Sequence, residues 1–186
     1  MTLRPRSFLP RALVALSMVL TMGACGSSAK ASDPTTTSTL EVAGPNPSIS
    51  AQMVCHEAKG EIAAVVGIDI SRPLVPKWVR ETHLYSCVYA YGGGKQMTLS
   101  VKEMSSPAET TAYFDGLGTT LHRGSKIDLG EGAFGTANGS IVVRKDYRVL
   151  LVDVSRLPAQ FGVPPQARSA FANSVAALIM VCWKGE

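Results

Sequence analysis

Gly130-Glu131-Gly132-Ala133-Phe134-Gly135 has the Gly-x-Gly-x-x-Gly spacing that lets a backbone approach a pyrophosphate, and Asp153 follows at the distance of a ribose-binding acid. That chemistry needs a strand before the glycines and a helix opening after them. Here Thr136-Ala137-Asn138-Gly139 leads into a β-rich run instead, so the glycines read as a loop and no cofactor is expected. His56-Glu57 lacks the second histidine of a zincin helix, because position 60 is Gly60. His56, His83 and His122 fall in three separate elements, and no two cysteines stand two residues apart, so no metal site is expected. No Gly-x-Ser-x-Gly elbow occurs. Glu57 and Glu61 are an i, i+4 pair on a helix surface and Glu131 stands alone, which is not the pattern of a glycosidase. No catalytic residue is assigned, and the chain is expected not to be an enzyme. Asn138-Gly139-Ser140 is an N-glycosylation sequon that reads as a β-turn. Tyr85, Tyr89 and Tyr91 read as core or sheet surface. Trp78, beside Pro76, and the near-terminal Trp183 are the candidates for a binding rim.

The residue whose surroundings specify chemistry most sharply is Cys25. Arg4, Arg6 and Arg11 precede it without an acid, then comes the apolar run Ala12–Met22. A positive start and a short apolar stretch make a secretory signal. About a dozen apolar residues are too few for a membrane span, which needs roughly 20. Gly23 and Ala24 supply the small residues of a cleavage site and lead directly into the cysteine. Leu20-Thr21-Met22-Gly23-Ala24-Cys25 resembles the bacterial lipobox. The resemblance implies that the Cys25 thiol takes a diacylglycerol, that the peptide bond before it is cut, and that the new amino end is open to acylation. Two acyl chains suffice for stable anchoring, at about 0.8 kcal/mol per buried methylene. The expected location is the extracytoplasmic face of the cell membrane.

Leader residues 1–24 hold three of the 18 basic residues and none of the 14 acids, so the mature net charge falls from +4 to +1. A near-neutral domain gives no reason to expect nucleic acid as a partner. Residues 25–50 are rich in Ser, Thr, Pro and Gly, a composition that cannot bury enough apolar surface to offset ordering. They are expected to be a disordered tether, about 25 to 30 Å long on average as a flexible coil and at most about 80 Å extended. Thr35 to Thr39 would accept O-glycans. Residues 51–186 are enough for one domain with its own core.

Within that domain, Val54, Ala58, Ile62, Val65 and Val66 recur at helical spacing up to Gly67, which predicts a helix from Ala51. A loop with Pro73 and Pro76 follows. Leu84 to Tyr91 and Gln96 to Met104 alternate around Gly92-Gly93-Gly94 as a hairpin. Ser106-Pro107 caps a helix running to about His122, weakened by Gly116 and Gly118. Ser140–Asp146 and Tyr147–Val154 read as strands. Pro164-Pro165 reads as the start of a last helix with the stripe Phe171, Val175, Leu178 and Cys182. The expected architecture is α+β: an antiparallel sheet of four to five strands with helices packed on one face.

With Cys25 lipidated, three cysteines remain in an oxidising compartment, so one disulfide and one leftover thiol are expected. Cys87 shares a strand face with the tyrosines, within reach of a helix bearing Cys55, so the expected pair is Cys55 with Cys87. A bridge from Cys182 to Cys55 is the alternative. Cys182 otherwise reads as a small buried hydrophobe. The lipobox, the Ser/Thr/Pro tether, a helix bearing Cys55 and ending at Gly67, and a strand with Cys87 together resemble the small lipoproteins of actinobacterial, mycobacterial-type, cell envelopes, many in a domain family of unknown function. The resemblance implies a secreted α+β domain with a helix-to-strand disulfide. The expected role is a non-enzymatic module that binds an envelope protein or an apolar small molecule. The alternatives are an accessory subunit of an envelope complex and a cell-wall hydrolase.

Overall fold

A computed structural model describes residues 42–183; the leader, Cys25 and the Thr35–Thr39 run lie outside the described residues. In chain order the elements begin with α1 (Ile49–Met53) and α2 (Ala58–Val66). Strand β1 (Lys77–Val79), a turn of 3-10 helix (Arg80–Thr82), β2 (Leu84–Ala90) and β3 (Gln96–Glu103) follow. Then come α3 (Pro107–Thr120), β4 (Arg123–Ile127), β5 (Gly132–Thr136), β6 (Ile141–Lys145) and β7 (Arg148–Asp153). A two-stranded ribbon, β8 (Gln160–Phe161) with β9 (Gln166–Ala167), leads into α4 (Arg168–Cys182).

The expected α+β class with an antiparallel sheet is what the chain forms, but the sheet has seven strands rather than four to five, in the order β1-β2-β3-β7-β6-β5-β4. The strands missed are the three-residue β1 and the β4–β5 pair, whose glycines and polar outer face carry no apolar alternation. From β3 the chain crosses by α3 to the far edge at β4, then returns through β5 and β6 so that β7 pairs with β3.

That crossover puts helices on both faces, not one. Alternation sends Tyr85, Cys87, Tyr89, Leu99, Leu150 and Val152 into a core shared with α1, α2 and α4. The intervening residues Phe134, Val142 and Val149 meet Met104 and Phe114 in a second core beneath α3. Ser106 Oγ accepts from Glu109 N at 3.2 Å, while Glu109 Oε2 accepts from Ser105 N at 2.9 Å, so α3 starts where its cap predicts.

Three expected boundaries move. The single helix from Ala51 is two, because its backbone is diverted at Val54: Tyr89 Oη donates to the Val54 carbonyl at 2.6 Å, and Cys55 is bonded to Cys87 with 6.0 Å between their Cα atoms. Gly67 still ends α2, with φ 64, and a Cβ there would collide with the Val163 carbonyl. The tether does not extend to Ser50. Ala43 N donates to Met104 O at 3.0 Å, Ser48 N donates to Glu103 Oε1 at 3.2 Å, and the Pro45 and Pro47 carbonyls accept from Trp78 Nε1 and Gln52 Nε2. Prolines without N–H groups still offer carbonyls, and here both are used. Pro164-Pro165 lie between β8 and β9, where Arg168 N donates to Ala159 O at 3.0 Å, and α4 begins only at Arg168.

The Cys55–Cys87 bridge excludes the Cys182–Cys55 alternative. No described cysteine is a free thiol, so Cys182 is not the leftover thiol expected.

Candidate functional site

The glycine run at 130–135 passes from a turn at Gly130, φ 59, straight into β5, so no helix N-terminus stands over it. Asp153 Oδ1 accepts from Ser140 Oγ at 3.2 Å and from Ser155 N at 2.9 Å, the work of a turn cap. Asn138 Oδ1 likewise accepts from Ser140 N at 2.9 Å, as a turn residue does. His56, His83 and His122 are not brought together, and no group of three metal-ligating side chains forms among the described residues. His83 sits at φ 46 with its ring 6.0 Å from that of Trp78. Glu57 precedes α2 and Glu61 lies in its first turn, while Glu131 lies 4.0 Å from Arg144 Nε.

Tyr85, Tyr89 and Tyr91 are core. Burial, reinforced by Tyr91 and Tyr85, pushes the Tyr89 phenol well above its ordinary value, and burial alone does the same to Tyr91. Trp183 is only 4% exposed and its Nε1 donates to Ser50 O at 2.9 Å, so it locks α4 to α1 and forms no rim. Trp78 is half-buried and holds the Pro45 carbonyl.

A wider concavity lies elsewhere among the described residues. Helix α3 packs mainly on β4, β6 and β7, and among the described residues its Ala112 and Tyr113 face the β2–β3 end of that sheet across a gap. Between them runs an open groove of about 590 Å³. Leu84 and Lys102 line it from the sheet and Ala112 and Tyr113 from the helix, together with Thr82, Glu109 and the fully buried Met104. The Lys102 ammonium donates to Thr82 O and lies 5.8 Å from the centre of the Tyr113 ring. Burial pushes the Tyr113 phenol up. Met104 is fully buried, takes its backbone hydrogen bond from N to Tyr147 O, and accepts Ala43 N on its carbonyl. The chain therefore joins the fold against the residue at the base of the groove.

Another concavity, of about 450 Å³, lies between β4–β5 and the start of α4. A third, of about 210 Å³, lies beside Arg123. The Arg123 guanidinium stacks 5.0 Å from the Phe114 ring and 4.7 Å from that of Phe134, and its Nη2 meets Asp115 Oδ1 at 2.7 Å. These contacts pin the end of α3 to β4 and β5.

The lining of the main groove offers apolar walls, one ammonium and one carboxylate, and that carboxylate is engaged by Ser105 N. It can hold an apolar body and orient one charged end; it pairs no nucleophile with a base. Sequence reasoning missed Lys102, Met104, Ala112 and Tyr113. The hairpin alternation places Lys102 on the outer face, but nothing local says that α3 passes beneath that face. No family model matches the chain, no curated protein matches it, and no solved structure matches its fold.

Proposed function

We propose that this chain is an exported lipoprotein, anchored through Cys25 at the extracytoplasmic face of the membrane, whose domain is a non-enzymatic binding module. Its site is the groove between α3 and the β2–β3 end of the sheet. The observation that carries the reading is the volume and lining of that groove. About 590 Å³ falls within the roughly 300 to 1,000 Å³ of small-molecule sites. Leu84, Met104, Ala112 and Tyr113 give the apolar walls such sites have, and Lys102 gives one oriented polar group. The anchor rests on the arginines, apolar run and Met22-Gly23-Ala24-Cys25 box of the leader; against it stands the bonded state of Cys182, since Cys55 and Cys87 are paired with each other. The disulfide between the turn after α1 and β2 suits an oxidising compartment.

Native mass spectrometry of the lipoprotein extracted from its own membrane tests the reading. A retained adduct is expected, and it is expected to disappear in Ala112→Glu, which projects a charged side chain into the groove from an exposed helix position. An adduct-free protein, or an adduct that the variant keeps, would refute it.

A further inference from the structure

Resting on the groove as the binding site, we infer that its occupant is an anionic phospholipid of the bilayer that holds the anchor, with one acyl chain along α3 and the phosphate on Lys102.

The walls favour a chain over a peptide. Leu84, Met104, Ala112 and the Tyr113 ring present carbon in an open groove, so a flexible alkyl chain can lie against them. The end of the groove favours an anion. An ammonium has three donors, and the Lys102 side chain uses one on Thr82 O. Its position over the Tyr113 ring holds the head at the mouth, with two N–H groups left for phosphate oxygens. The neighbouring carboxylate of Glu109 is turned to the positive end of α3, where its Oε2 accepts Ser105 N at 2.9 Å.

The chain itself favours a bilayer source. Ala43 is hydrogen-bonded to Met104 at the base of the groove. Only residues 26–41 separate the described chain from Cys25, and fully extended they reach no further than about 55 Å. A groove held that close to a leaflet meets lipid at a high effective concentration, so weak intrinsic affinity suffices for occupancy.

The test uses the whole lipoprotein in phosphatidylcholine vesicles doped with a phosphatidylglycerol that carries a diazirine on one acyl chain, followed by peptide mapping after illumination. Labelling is expected on peptides holding Met104 and Ala112–Tyr113. Lys102→Met should lower it about fivefold, the worth of one near-surface cation against an anionic lipid. Ala112→Glu should remove it, with both variants keeping the wild-type melting temperature. Equal labelling by a phosphatidylcholine carrying the same diazirine would overturn the anionic assignment and leave the groove as a binding site. Labelling of no groove peptide by either probe would overturn the inference outright. In that case an adduct in the native mass spectrum would preserve the binding reading, and its absence would remove both. Cross-links between two copies through these peptides would likewise overturn it.

Discussion

Glu103 and Arg148 stand opposite each other on β3 and β7, both buried, with Glu103 Oε1 3.8 Å from Arg148 Nε. The same oxygen accepts Ser48 N at 3.2 Å, so one carboxylate ties the incoming chain to the middle of the sheet. Breaking a buried ion pair costs about 3 to 5 kcal/mol. Glu103→Ala should therefore lower unfolding stability by about 3 kcal/mol. Glu103→Gln, which keeps an oxygen for Ser48 N, should lower it less. Urea unfolding of the three proteins measures both differences.

Tyr89 on β2 and Tyr91 just beyond its end are both buried, yet among the described residues only Tyr89 of the two has a partner for its hydroxyl. Tyr89→Phe leaves the Val54 carbonyl without its donor and should cost about 1 to 2 kcal/mol. Tyr91→Phe removes a buried hydroxyl that bonds nothing among the described residues, and should be neutral or stabilising by up to about 1 kcal/mol. Thermal melts separate the two signs.

Both phenols are raised above their ordinary value of 10.0 in the folded chain. Above that pH the unfolded state has released protons that the native state still holds, so stability present at neutral pH is lost as pH climbs. Each phenol should contribute a fall of about 1.4 kcal/mol per pH unit beyond 10. Unfolding midpoints at pH 8, 10 and 11 should be flat between the first two, to within about 1 kcal/mol, and then drop.

A Cβ on Gly118 would lie 2.5 Å from Arg123 Nε, so the glycine inside α3 is the seat of a guanidinium. Gly118→Ala gains roughly 1 kcal/mol of helix propensity and displaces a cation–π contact worth a similar amount. Alone it should change stability by less than about 0.5 kcal/mol, whereas in an Arg123→Ala background it should stabilise by about 1 kcal/mol. A double-mutant cycle in urea reads the coupling directly.

The Cys55–Cys87 bridge closes a loop of sequence separation 32 and joins the segment after α1 to the middle of β2. Loop-closure entropy puts its contribution at about 3 to 4 kcal/mol. Replacing both cysteines by alanine should lower the urea midpoint accordingly, without moving the Tyr89 hydroxyl from Val54.

Where a signal was local, the sequence displayed it. The β2–β3 alternation, the Ser106-Pro107 cap of α3, the β6–β7 pair and the Cys55–Cys87 pairing all depend on neighbours in the chain or on one shared face. What stayed hidden was non-local. Strands β4 and β5 form because α3 delivers the chain to the far edge of the sheet, and their Gly-rich text carries no period of its own. Tyr89, 35 positions from Val54, and Cys87, 32 from Cys55, break the helix that the spacing of Val54 and Ala58 would continue. The groove was illegible for the same reason, since it is the part of a sheet face that a crossing helix leaves open. Trp183, conspicuous in the text, is a core residue, while Lys102 and Ala112, inconspicuous there, line the site.

Everything proposed for this chain depends on the chemistry of Cys25, and mass analysis of the amino-terminal peptide from the membrane fraction tests it most directly. The account predicts a chain beginning at residue 25 with a thioether-linked diacylglycerol on its sulfur. A thioether sulfur cannot also form a disulfide, so the same digest decides between the two fates of that atom. Residue 25 without acyl chains, as a thiol or in a disulfide, or an uncut leader in the cytosol, would contradict the account.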